Sequence, residues 1–234
     1  VIIAQRPLSR VTAINPLTIL GASSVVAWHR SDTVTLVSGN VSVWDDLSGN
    51  GNDLAATGST YRPLLASGAA PSGADAVRLV KSVPRYLRCT TYGGVSEDYT
   101  IILVAKWTYA AAPEYIVAPP STYSCPYLRN IPPSSAPLYM TSSSGFNGPS
   151  WTNATWYVYE ATIRGVGARL SLNNGTPTTG NLSGGTMSLT GLNLGGDPSY
   201  AVDADLTEIV IVNRELTTAE RTAINTYTRN YAGF

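Results

Sequence analysis

Apolar positions along this chain recur mostly at a period of two, in short runs cut by Gly, Pro, Asn and Asp. That pattern predicts many short β-strands joined by tight turns. The first runs are Val25-Val26-Ala27-Trp28 and Val41-Ser42-Val43-Trp44, and DDLSGNGND between Trp44 and Leu54 is a dense turn signal. From Tyr99 to Trp107 the alternation is regular: Tyr99, Ile101, Leu103, Ala105 and Trp107 share one face, Ile102 and Val104 the other. Apolar residues on both faces predict a strand covered on both sides. Trp28, Trp44 and Trp107 fall within these patterns and are expected in the core. Trp156 to Ile163 reads as a further strand. Arg169-Leu170-Ser171-Leu172 then runs into Asn173-Asn174-Gly175, a two-residue hairpin signal, because Asn-Gly tolerates positive φ at both central positions. Another strand pair is expected near Met187–Leu194 and Leu206–Val212.

Three segments break the period of two. Residues 1–22 are apolar in patches but interrupted by Arg6, Pro7, Arg10 and Pro16, and read as an irregular arm that lies along its own domain or docks on another subunit. Ala110 to Pro149 is rich in Pro, Ser and Tyr, with little sustained alternation, and predicts short edge strands between long loops. The end of the chain has helical spacing. Thr217-Thr218-Ala219-Glu220 fits a capping box, and Ile224, Tyr227 and Tyr231 at i, i+3, i+7 form one stripe for docking on a sheet. Gly233 lies where such a helix would stop.

Composition narrows the function classes. Fourteen Tyr, five Trp, 21 Gly and 15 Pro among 234 residues, with 13% charged, fit one large β-sandwich and an arm. The formal net charge is zero, so no basic field attracts nucleic acid or an anionic membrane. No apolar run reaches the roughly 18 residues of a membrane span, and the N-terminal stretch lacks the charged start and continuous apolar centre of a signal peptide. Cys89 and Cys125 are the only cysteines; they read as buried thiols or as one bridge in an oxidising compartment. With the single His29 they cannot assemble an ordinary all-protein zinc site.

Three quoted stretches carry a family resemblance: VVAWHRSDTVT followed by VSVWDDLSGNGNDL and YRPLL; ARLSLNNG; and LNLGG followed by LTEIVIVNRELTTAERTAINTYTRNY. In this order they resemble the laminin-G-like branch of the concanavalin A-like lectin/glucanase jelly rolls, found in secreted, bacterial surface and phage virion proteins. The resemblance implies an all-β fold: an antiparallel β-sandwich over residues 23–234 with six or seven strands per sheet, a concave face and a short C-terminal α-helix. The fold hosts lectins, glycanases, adhesion modules and spacers, so function must be argued from sites.

Glycanases of this class set two glutamates and an aspartate close together on one strand. None of the six glutamates here stands in such a cluster. Glu208 in LTEIVIV has no second Glu nearby and is expected to be a buried or edge carboxylate paired with an arginine such as Arg214 or Arg221. His29 has neither a nucleophile elbow nor a zinc-binding HExxH motif around it. No catalytic residue is assigned. Asp46, Ser48, Asn50 and Asp53 begin an oxygen-rich loop of the kind that holds calcium, although the twelfth position is Thr57 instead of a bidentate Glu; the competing reading is a turn whose side chains satisfy backbone amides. Sugar binding needs an aromatic platform with planar polar neighbours, and SGFNGPSWTNATWY offers Phe146, Asn147, Trp151 and Asn153 on what reads as a loop, with Tyr139 in the same region; the competing reading of Trp151 is a core or subunit contact. These readings combine into a non-catalytic module of a virion or cell exterior. The arm would contact other subunits, and a recognition face would meet surface glycans. A free secreted carbohydrate-binding module is the alternative.

Overall fold

The structure is a computed structural model that describes residues 14–90, 92, 95, 98–108, 114–118, 127–130, 137–140, 145–182, 189–196 and 200–234. After a short helix α1 (Pro16–Leu20), the chain forms β1 (Val25–Arg30), β2 (Val34–Val37), β3 (Asn40–Trp44), β4 (Leu54–Ala55), β5 (Leu64–Ala66), β6 (Ala76–Leu79) and β7 (Leu87–Cys89). Next come β8 (Tyr99–Thr108), β9 (Glu114–Ala118), β10 (Tyr127–Asn130), β11 (Pro137–Met140) and β12 (Gly145–Asn147). The last strands are β13 (Trp156–Ile163), β14 (Ala168–Leu172), β15 (Thr178–Gly180), β16 (Leu192–Leu194) and β17 (Asp203–Val212), before helix α2 (Thr218–Ala232).

All ladders are antiparallel and fall into two layers. In the first, β17 pairs with β8 on one side and, on the other, with β1 over Glu208–Val212 and β6 over Ala204–Leu206. The layer continues through β13, β14 and β15. The second layer runs β2, β3, β4, β7, β16, β9, β10, β11, β12. β5 pairs with both β6 and β3 and so joins the layers along one side. The protein is an all-β antiparallel sandwich with a C-terminal helix.

The alternation in β8 becomes two cores. Tyr99, Ile101, Leu103, Ala105 and Trp107 enter the core between the sheets with Trp44, Ile209 and Ile211. Ile102 and Val104 point the other way, into a smaller core under α1 and α2 with Trp28, Val210, Val212 and Ile224. A fully buried Leu or Ile contributes about 1.5–3 kcal/mol, so a strand loaded on both faces anchors the whole first sheet. No helix among the described residues is long and apolar enough to cross a membrane.

Four local expectations are revised. Residues 16–20 are helical, not irregular: Asn15 accepts the Thr18 amide at 3.0 Å, Pro16 starts the turn, and Leu20 is buried in the outer core. Residues 14–22 therefore lie along their own domain, while residues 1–13 are outside the described residues. The hairpin after Leu172 is centred on Asn173 and Asn174, at φ 51° and 58°, so the tight turn closes on Gly175 instead of passing through it. β16 and β17 do not pair with each other; they belong to opposite layers. Residues 145–147 are a strand instead of a loop. Cys89 ends β7 and is buried, and Cys125 lies outside the described residues.

Candidate functional site

A cleft opens where the second half of α2 passes the end of β1. Arg30, Thr226, Tyr227, Asn230 and Tyr231 line about 560 Å³, with Ile14 at its edge. That size lies within the roughly 300–1,000 Å³ of small-molecule sites. Two helical spacings build the wall: Tyr227 and Tyr231 are four residues apart and stack along one face, while Thr226 and Asn230 occupy the adjacent exposed row.

Arg30 is fixed from all sides. Its Nε and Nη2 donate to the two oxygens of Asp32 at 2.8 and 2.9 Å. Its guanidinium lies over the Trp28 ring at 5.7 Å and the Tyr231 ring at 5.2 Å, two cation–π contacts. The hydroxyls of Ser31 and Tyr231 are 3.2 Å apart, and Ser31 also donates to the Asp75 carbonyl, so the loop after β1 is fastened to α2. The result is a preorganised arrangement of two phenol rings, a guanidinium, an amide and a hydroxyl.

Glu208 sits beneath this wall, directly across the ladder from Arg30. It is fully buried, and its Oε1 accepts the Trp28 indole N–H at 2.6 Å. Burial pushes its carboxyl up to about 8, against the smaller opposing pull of Trp28, Arg30 and the hydroxyl of Tyr227. The expected pairing with Arg214 or Arg221 is not found. Arg214 pairs with Glu220 at 2.7 Å, and Arg221 with Glu160 and Glu215 at 2.9 and 3.1 Å. The reason is topological: Glu208 and Arg30 occupy cross-strand positions, whereas both other arginines lie at the N-terminal end of α2.

The residues proposed as a glycan platform do not converge on one open surface. Trp151 is buried in the inter-sheet core, stacked on Trp107 at 5.5 Å and 28°, so its ring face is not open to a sugar. Phe146 and Asn147 are consecutive in β12, which sends their side chains to opposite faces; Phe146 packs on the core and Asn147 is exposed. Asn153 is exposed on the following loop. Tyr139 pairs with Phe146 through the β11–β12 ladder, and its side chain is outside the described residues.

The oxygen-rich loop is built as a turn. Asp46 Oδ1 accepts the amides of Trp28 and Ser48, both at 2.9 Å, and Oδ2 accepts Ser48 Oγ at 2.7 Å and the Asn52 amide at 3.0 Å. Four donors occupy a carboxylate's four acceptor positions. Burial works against the charge, but these bonds hold Asp46 below the usual carboxylate range. Asp53 accepts the Asp46 amide at 2.8 Å, and Asn50 donates to the carbonyls of Val25 and Val26 at 2.9 and 3.1 Å. Among the described residues, no group of three or more His, Cys, Asp or Glu is placed to hold a metal ion.

Sequence reasoning missed the cleft because its parts looked structural. Tyr227 and Tyr231 read as a docking stripe. The available signal was the neighbouring row Thr226 and Asn230, polar residues beside a tyrosine pair on a helix already expected to cover a sheet.

No family model and no curated sequence matches the chain. Its structure is similar to the binding domain of paraclostridial mosquitocidal protein 1, at 13% identity and a TM-score of 0.67, covering 89% of this chain and 53% of that one. It is also similar to the binding domain of botulinum neurotoxin DC in complex with SialylT, at 11% identity and 0.65, covering 88% and 52%. Trypanosoma rangeli sialidase matches at 15% identity and 0.57, covering 88% and 33%. Identity this low shows a shared fold. The chain spans about half the length of the two binding domains and a third of the sialidase.

Proposed function

We propose that this chain is a non-catalytic carbohydrate-recognition module and that the α2 cleft receives the sugar. The carrying observation is the convergence of Tyr227 and Tyr231 with Arg30, Thr226 and Asn230 around one cleft. A pyranose presents an apolar face that stacks on aromatic rings and hydroxyls that pair with planar polar side chains, and the wall supplies both. The fold shared with the binding domains of paraclostridial mosquitocidal protein 1 and of botulinum neurotoxin DC, the latter in complex with SialylT, supports the same reading. The setting is a virion or cell exterior, with residues preceding α1 contacting other subunits.

Glycan-array screening of the full chain followed by calorimetry on the best ligand tests this. Tyr231→Ala and the exposed double change Thr226→Ala with Asn230→Ala should each weaken binding tenfold or more, about 1.4 kcal/mol. Unchanged affinity in the double variant would remove the cleft as the site. Sustained glycan hydrolysis that disappears in Glu208→Gln would overturn the non-catalytic assignment.

A further inference from the structure

The chain contains three Asn-Gly pairs, Asn50-Gly51, Asn147-Gly148 and Asn174-Gly175. An asparagine followed by glycine can lose ammonia without an enzyme, because no Cβ on the glycine shields its amide nitrogen from the Asn side chain. The Asn carboxamide must be free to turn toward that nitrogen, and the fold sets the three pairs apart on this requirement. Asn50 is held at the nitrogen that has to leave: its Nδ2 donates to the carbonyls of Val25 and Val26 at 2.9 and 3.1 Å. Asn174 is held on both sides of the reaction. Its Nδ2 donates to Thr222 Oγ1 on α2 at 3.2 Å, and the Gly175 amide, the attacking group, donates to the Leu172 carbonyl at 2.8 Å.

Asn147 differs. It is the last residue of β12, which among the described strands pairs with β11 alone. Its side chain is exposed on the face opposite Phe146, and no hydrogen bond ties it to a described residue. Gly148 follows outside the strand. Turning the Asn147 carboxamide toward the Gly148 nitrogen therefore breaks no side-chain contact, whereas the same motion at Asn50 or Asn174 breaks the bonds that fasten a turn to β1 or to α2.

We propose that Asn147-Gly148 is a self-modifying site of the folded protein, converted to aspartate and isoaspartate, and that the fold keeps the other two pairs intact. The Gly148 nitrogen gives its proton to hydroxide and bonds to Asn147 Cγ; the Cγ–Nδ2 bond then breaks and ammonia leaves, closing a succinimide ring. Water opens the ring at Cγ to give aspartate, or at the main-chain carbonyl to give isoaspartate, in which the main chain runs through Cγ. Either product puts a carboxylate on a chain of zero formal net charge. Isoaspartate also adds a methylene to the main chain opposite Leu138, so the β11–β12 register cannot continue there. The site does not depend on the sugar cleft. The test is peptide mapping by mass spectrometry of the full chain held in mildly alkaline buffer, folded and in urea. When folded, Asn147 should convert at least tenfold faster than Asn50 or Asn174, because breaking even one of their hydrogen bonds raises the barrier by that order. In urea the three rates should converge, and Gly148→Ala should slow conversion at residue 147 at least tenfold in either state. Asn147 left intact in the folded chain while it converts in urea, or Asn50 or Asn174 converting as fast as Asn147 when folded, overturns the proposal.

Discussion

Burying the Glu208 carboxyl between Trp28 and the underside of α2 raises it from an ordinary value of 4.5 to about 8. The unfolded chain releases this proton near pH 4.5, whereas the folded chain holds it to about pH 8. Between those values the unfolded state binds fewer protons, so stability falls as pH rises, and above pH 8 the loss stays constant. At about 1.4 kcal/mol per unit, the loss is on the order of a few kcal/mol. Glu208→Gln cannot ionise and should flatten the profile. Urea unfolding from pH 4.5 to 9 should show the variant gaining on the parent with rising pH, and parallel profiles would contradict the assignment. The sequence marks Glu208 as a solitary carboxyl and no more. Its partner Trp28 is 180 residues away, and only the β1–β17 pairing brings them together. Trp151 takes the core one of its two readings, because the chain folds back and stacks it on Trp107.

Elements with a local signature were legible, and those defined by their partners were not. The Thr217 capping box is present as the spacing predicted: Glu220 N–H donates to Thr217 Oγ1 at 3.3 Å and Thr217 N–H to Glu220 Oε2 at 2.8 Å. Arg214 clamps the same carboxylate, the main reason Glu220 is held down to about 2. Thr217→Ala removes the cap acceptor and should cost about 1 kcal/mol, read as a lower denaturation midpoint at unchanged slope. No loss would mean that Arg214 alone secures the helix start. The β8 alternation likewise survived intact, because period two is a property of the strand itself. The turn after Leu172 shows the limit. Asn173 Oδ1 accepts the Val158 amide at 2.9 Å, and this contact with β13 fixes the turn one residue earlier than Asn-Gly chemistry suggests. The separation of β16 from β17 into opposite layers is also a tertiary choice that no local pattern encodes.

At the scale of the whole molecule, the outer face of the first sheet organises the proposed sugar cleft, because α2 roofs that face and leaves the opening beside the end of β1. That opening is not visible in sequence, since it exists only once a helix is laid across strands that are distant along the chain. The same outer core also decides what the N-terminal region can do. Leu20 is buried there, and Leu17 and Ile19 pack against it, so residues 16–20 are part of the folded domain. Removing residues 1–22 strips this packing and should destabilise the protein by about 2–5 kcal/mol, as the loss of a buried leucine does. Removing residues 1–13 leaves this packing in place. The shorter deletion therefore isolates any contact that residues 1–13 make with another subunit, which the longer one would confuse with unfolding. If the full chain sediments as an oligomer and the chain lacking residues 1–13 as a monomer with the same melting temperature, that segment is an assembly device and the virion or surface setting gains support. Equal monomeric masses would instead place the weight on a free glycan-binding module, whose affinity must then come from the cleft alone.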